Sequence, residues 1–362
     1  MRFVEESGLW STGPAPAPVP LTAVLEVAGA VLSWPVDRPA ADVHLAFTDP
    51  ARADWLWRVV GERGHDAIAR ALEAAAGDPV DIGDVTFDAA ALEPLRRLAL
   101  GHWLRRWWPA SSRDGIAELD PAILAGELAL LTTAAEAYFA DDTFDSDVAE
   151  LLRPHVAVLD AQAALGDPRI GEIARACAEL AEDIGAAGVV PVAPVRVGRR
   201  DDYALVAGAD RTGPAASGIA AGVTSVSWAA VPAGIFDAAE DTVDWRLVSD
   251  GGVVSVVVRA ELGGPHSPAG IAVGVTAGEI GGSGSLDGTG AATIPLFDSL
   301  GVPVSEPVAW NRDWRDTTVT VGGGATETAQ ERERVRAMVR DRLRRPGPDA
   351  FLAEILAAEA DY

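Results

Sequence analysis

Histidines come first among residues able to do chemistry, and this chain has five: His44, His65, His102, His155 and His266. Helix-borne metal sites draw imidazoles from one face, as in H-x-x-x-H or H-E-x-x-H, and no two of these five stand at that spacing. A histidine metal site would have to be gathered from distant segments, so neither a metal nor a cofactor is expected. Asp141, Asp142, Asp145, Asp147 and Glu150 offer oxygen ligands for calcium. The EF-hand glycine and terminal glutamate are missing from their offsets, which leaves an exposed loop supplying an N-cap. The run GGSGSLDGTG at 281–290 matches neither G-x-G-x-x-G nor G-x-S-x-G and reads as a flexible hairpin loop. Ser283 or Ser285 would meet His266 and an aspartate as a triad only through the tertiary fold.

The basic residues are as informative by type as by number. All 29 are arginine. A P-loop, a protein kinase and a Schiff-base enzyme each need a lysine amine, so those chemistries are excluded. Acids outnumber bases 54 to 29, for a net charge of −25. That balance disfavours binding to phosphate backbones, which draws on clustered cations. One stretch, LRRLALGHWLRRWW at 95–108, interleaves arginine with tryptophan as single-strand binders do. Its surroundings are acidic, with 14 Arg against 31 Asp and Glu over residues 1–187. Trp103 and Trp107 are therefore expected to face the core and the arginines to pair with acids; no nucleic-acid partner is expected.

Two segments offer surfaces for recognition. In WNRDWRD, Trp310, Asn311, Arg312, Asp313 and Trp314 combine two aromatic faces with amide, guanidinium and carboxylate groups. Such a set can build a platform for a sugar or a peptide; the plainer reading is a loop pinned by buried tryptophan. The second segment is the C-terminal tail. Residues 331–345 hold seven arginines against Glu331, Glu333 and Asp341, with Val335, Met338, Val339 and Leu343 as an apolar seam. After Pro346-Gly347-Pro348, Phe351, Leu352, Ile355 and Leu356 form a short amphipathic surface. It can dock in a groove on a protein partner or fold back on its own chain.

The elements that must position these residues follow from local pattern. Asp49-Pro50, Asp120-Pro121 and Asp167-Pro168 each pair an N-cap residue with a proline at the first helical position. Leu124, Leu128, Leu131, Ala135 and Tyr138 then mark one helix face. A second face runs through Ile170, Ile173, Ala174, Cys177, Leu180, Ala181 and Ile184. Cys177, the single cysteine, falls within that stripe and is expected to pack rather than react. Short strands are expected at 23–34 and 43–48. Beyond Gly185, β-branched runs separated by turns predict strands at 203–206, 219–231, 242–249, 253–262, 271–277, 291–296 and 317–321. Asp250-Gly251-Gly252 and Asp287-Gly288 are hairpin signals.

The expectation is an α+β chain. Residues 1–187 form a mainly helical domain with a short N-terminal β element. Residues 188–325 form an antiparallel β-sandwich, for which an immunoglobulin-like arrangement is one form, and residues 326–362 a helical tail. One cysteine and no apolar leader in residues 1–13 point to the cytoplasm. The longest uncharged stretch, 212–236, is broken by Gly, Ser, Thr and Pro, so no membrane partner is expected. No catalytic motif stands out. The function expected is that of a non-catalytic adaptor or scaffold using its tail. The alternatives are a hydrolase with its site between the two domains, and a ligand-binding sandwich using Trp310 and Trp314.

Overall fold

Asp49, Asp120 and Asp167, each followed by a proline, cap helical starts. The Oδ1 atoms accept from Ala51 N at 3.1 Å for Asp49, from Ala122 N at 2.9 Å for Asp120, and from Arg169 N at 2.8 Å for Asp167. The computed structural model describes residues 1–6, 8–38, 42–74, 78–136, 138–139, 145–185, 218–324 and 327–360. The strand expected at 203–206, the domain boundary at 187 and the acids Asp141 and Asp142 lie outside these. The fold is α+β with antiparallel sheets, and its contacts divide into two units.

The first unit holds residues 1–108, 117–185 and 330–360 of those described. Its sheet contains β1 (Arg2–Glu6), β2 (Leu9–Ser11), β3 (Thr22–Val27), β4 (Ala30–Pro35), β5 (His44–Phe47) and β6 (Val80–Asp81), in the order β3-β4-β5-β2-β1-β6. Its helices are α1 (Trp57–Ala74), α2 (Ala89–Trp107), α3 (Pro121–Glu136), α4 (Asp145–Leu152), α5 (Val156–Ala163) and α6 (Pro168–Asp183). The helix anticipated from Asp49 begins only at Trp57, after two 3₁₀ turns, and Gly61 kinks it with φ 73°. Trp103 on α2 is buried and its Nε1 donates to Pro20 O at 2.6 Å, which ties that helix to the turn before β3. Trp107 is half-buried, with the Arg106 guanidinium stacked 4.4 Å from its ring centre.

Almost every turn of α3 is buried, because α2, α4, α5 and α6 all pack around it. Gly126 lets α6 and α5 close in: a Cβ there would lie 3.1 Å from Cys177 Sγ and 3.1 Å from Leu159 Cδ1. The C-terminal tail belongs to this same unit, as α8 (Ala329–Arg344) and α9 (Leu352–Ala360). Phe351 is fully buried in a notch above Gly101 on α2, where an added Cβ would sit 2.5 Å from Leu128 Cδ2 and 2.6 Å from Phe351 Cζ. Gly101→Ala is expected to cost about 1–3 kcal/mol through overpacking. A lowered urea midpoint would show it, and an unchanged midpoint would mean the Phe351 ring can shift freely.

The second unit comprises residues 109–116 and 218–329 of those described. The excursion 109–116 is held by Asp237, a buried carboxylate that accepts from Ser112 N at 2.9 Å, Ser112 Oγ at 3.1 Å and Ala239 N at 2.9 Å. One sheet runs β12 (Ala291–Pro295), β9 (Val253–Ala260), β8 (Val243–Asp250), β7 (Ala221–Thr224). The other runs β11 (Ile280–Ser285), β10 (Ala272–Ala277), β13 (Thr318–Val321). Alternate residues of both sheets, among them Trp245, Leu247, Val256, Val273, Ile294 and Val319, share one core. A two-residue turn joins β8 to β9, with Gly251 and Gly252 at φ 57° and 84°, as the expected hairpin requires.

The glycine run at 281–290 is a correction. Its first half is β11, paired residue for residue with β10, rather than a flexible loop. The glycines are needed because β12 passes close by: a Cβ on Gly282 would meet Pro295 O at 2.5 Å and Ile294 Cγ2 at 2.8 Å. Asp287-Gly288 accordingly links strands of two different sheets and not a hairpin pair. Among the described residues no helix is long and apolar enough to cross a membrane.

Candidate interaction surface

The structure separates the two tryptophans that the sequence brings together. A short helix, α7 (Glu306–Trp310), ends at Trp310, which is 53% exposed and whose Nε1 donates to Glu306 Oε1 at 3.3 Å. Trp314 lies in the core, its Nε1 donating to Ala309 O at 2.8 Å. Asn311 is spent on the helix end, with Nδ2 donating to Pro307 O at 2.8 Å. Arg312 donates to Ala277 O at 2.6 Å while its guanidinium carbon lies 5.7 Å from the centre of the Trp314 ring. Asp313 binds the exposed Arg315 beside it, which holds its carboxyl down to about 2. One indole faces the core and the other faces solvent, so the five residues make a pinned turn and not a two-ring platform.

The four apolar residues of the tail are turned toward the chain's own helices. Phe351 and Leu352 are buried, and Ile355 and Leu356 are half-buried. The Arg97 guanidinium stacks on the Phe351 ring at 5.1 Å, and Leu352 N donates to Glu127 Oε2 at 2.6 Å. Four arginines of α8 are similarly engaged. Arg334 pairs with Asp37, Arg336 and Arg340 with Glu333, and Arg342 with Asp349 and Glu354.

The triad of Ser283 or Ser285 with His266 does not assemble among the described residues. Ser283 and Ser285 lie exposed on β11, and among the described residues no hydrogen bond joins either to His266 or a carboxylate. No group of three or more His, Cys, Asp or Glu side chains among those described is placed to hold a metal. The Cys177 thiol is fully buried, and burial with the nearby Glu127 pushes it up to about 12, so it stays a thiol and packs.

The surface that does emerge lies at one end of the second unit, around the β8–β9 turn and the chain leaving β12. Of twelve large hydrophobic residues that stand exposed among those described, six fall here: Val253, Phe297, Leu300, Val302, Val308 and Trp310. Backbone bridges hold these stretches side by side, Phe297 to Pro303 and Val253 to Ser305. Leu300 is 86% exposed yet sits in a fixed loop, because Asp298 Oδ1 accepts from Leu300 N and from Val302 N, each at 2.9 Å. Glu306 accepts from Ser249 Oγ at 3.0 Å as well as from Trp310. The apolar side chains are thus presented on an ordered backbone. Acids stand among them at Asp250, Asp298 and Glu306. Only Trp310 of this group was legible as a candidate. The segment PLFDSLGVP at 295–303 carries the rest of the signal, an apolar run with no period between turn residues.

The chain matches no protein-family model, no curated protein and no solved structure. The reading of function rests on the residues themselves.

Proposed function

We propose that this chain is a non-catalytic interaction protein, and that its docking surface is the apolar end of the second unit. The observation that carries the reading is the gathering of half the exposed large hydrophobics of the described residues onto one ordered end. Contiguous apolar groups rimmed by charge are what protein-binding surfaces use, whereas isolated ones are ordinary. Trp310 and Phe297 are the anchors, since aromatic residues carry most of the binding energy in such surfaces. The partner is a protein with an apolar recess bordered by basic side chains, which complements the acidic rim.

The second unit is read as a two-sheet sandwich that serves as the rigid mount. The immunoglobulin form is not carried further, because the orders β12-β9-β8-β7 and β11-β10-β13 differ from its ABED and CFG sheets. The tail is likewise set aside as the docking element, since its apolar residues are engaged within the first unit. A cytoplasmic setting is part of the proposal and is supported by the single cysteine, buried as a thiol.

The test is cross-linking and affinity capture from host lysate with the full chain and a variant carrying Leu300→Ser, Val308→Ser and Trp310→Ala. All three side chains are exposed, so the variant keeps its fold. The expected result is one stoichiometric partner cross-linked within 297–310 and bound at least about 30-fold more weakly by the variant, the size of a 2 kcal/mol hot spot. Equal capture by both chains, or no cross-link to this segment, would sink the proposal. A homodimer abolished by the same substitutions would replace it with self-assembly.

A further inference from the structure

A cleft of about 470 Å³ opens in the first unit, between α2, the end of β4 and the C-terminal half of α8. Its apolar lining includes Trp34, Leu100 and Met338. Four guanidinium groups border it, and they are not equivalent. Arg334 is committed to Asp37, with Nε 3.0 Å from Oδ2. Arg342 is committed to Glu354 and Asp349, at 2.6 and 3.1 Å. Arg96 has only Glu93 at 4.0 Å, and Arg345 has no carboxylate within 4.0 Å among the described residues. Two available cations therefore reach the cleft from separate elements.

The wall also holds an unanswered acceptor. Asp341 lines the cleft with an exposed carboxylate that has no cation within 4.0 Å among the described residues, whereas Asp37 Oδ1 is buried and closed to a ligand. A charged N–H donor arriving in the cleft gains a charge-assisted hydrogen bond to that carboxylate. The site thus asks for a carboxylate, a donor and an apolar body together, within the usual size range of small-ligand clefts. Long-range electrostatics narrows the class. A chain of net charge −25 repels a ligand of net negative charge but not a zwitterion.

We propose that this cleft binds a small zwitterion with a hydrophobic side chain, either a free apolar amino acid or a short peptide. Its carboxylate is held by Arg96 and Arg345, its ammonium by Asp341, and its apolar part lies along Trp34, Leu100 and Met338.

The experiment is calorimetric titration of the full chain with phenylalanine, a phenylalanine dipeptide and 3-phenylpropionate, which lacks the amine. Saturable binding of at least one amine-bearing probe is expected, at least tenfold weaker for 3-phenylpropionate and at least tenfold weaker for the Arg96→Gln, Arg345→Gln double variant. Whichever amine-bearing probe binds more tightly tells a free amino acid from a peptide. The proposal falls if no probe saturates, if the double variant binds as well as the parent, or if removing the amine changes nothing.

Discussion

Replacing Arg342 by alanine is expected to destabilise the first unit by about 3–5 kcal/mol, the largest loss foreseen for a single side chain here. Arg342 connects α8 to the start of α9. Its Nε and Nη2 donate to the two oxygens of Glu354 at 2.6 and 2.8 Å, and its Nη1 to Asp349 Oδ2 at 3.1 Å. Glu354 is fully buried, and among the described residues its carboxylate's other hydrogen-bond partner is Phe351 N at 2.9 Å. With Arg342 gone, a carboxylate with no access to water loses its counter-ion, and the cost is that of an uncompensated charge. A double variant distinguishes this from lost packing. Arg342→Met with Glu354→Gln should recover most of the loss, since neither charge then remains. Urea unfolding at neutral pH measures both, and a double variant no better than Arg342→Ala would assign the loss to packing.

That buried pair also shows where sequence reading succeeds and where it stops. The seven arginines of residues 331–345 and the apolar spacing of the tail are visible as local pattern, and they suggest docking. What they dock onto is decided by Gly101, whose missing side chain makes the notch for Phe351, more than two hundred residues away. The helix starts at Asp120 and Asp167 and the Asp250-Gly251-Gly252 turn were legible for the opposite reason. Each is a contact between a side chain or backbone and its immediate neighbours. The strands β1, β2 and β6 were missed because they exist through non-local pairing, Phe3 with Val80 and Ser11 with Ala46. The glycines of β11 look like a loop until the passage of β12 explains them. Trp310 and Trp314 look alike in sequence, yet α7 ends between them and turns one outward and one inward. The apolar end of the second unit was invisible for a related reason: periodicity shows that a residue is apolar, while only the fold shows that nothing covers it.

Glu127→Gln is expected to stabilise the chain at pH 8 by about 2–3 kcal/mol and to have little effect near pH 5. Glu127 lies on α3 with its side chain 11% exposed, where it accepts from Leu352 N and lies 3.4 Å from Arg97 Nη2. Burial pushes its carboxyl up to about 7. The Leu352 N–H and Arg97 pull it down by less, and the nearby Glu354 adds a further push upward. A carboxyl raised in the folded state and ordinary in the unfolded state binds more protons when folded. Between about 4.5 and 7 the folded state therefore loses stability as pH rises, and above 7 the whole cost of the buried charge is present. Glutamine keeps an oxygen for Leu352 N and removes the charge, so the variant should lack this slope. The contest is between desolvation and the Arg97 pair. Arg97 is a third exposed and also stacks on Phe351, so its attraction is screened and the desolvation wins. Urea midpoints of parent and variant at pH 5 and pH 8 decide it. A variant less stable than the parent at pH 8 would show that the ion pair outweighs burial and that Glu127 stays charged in the folded protein.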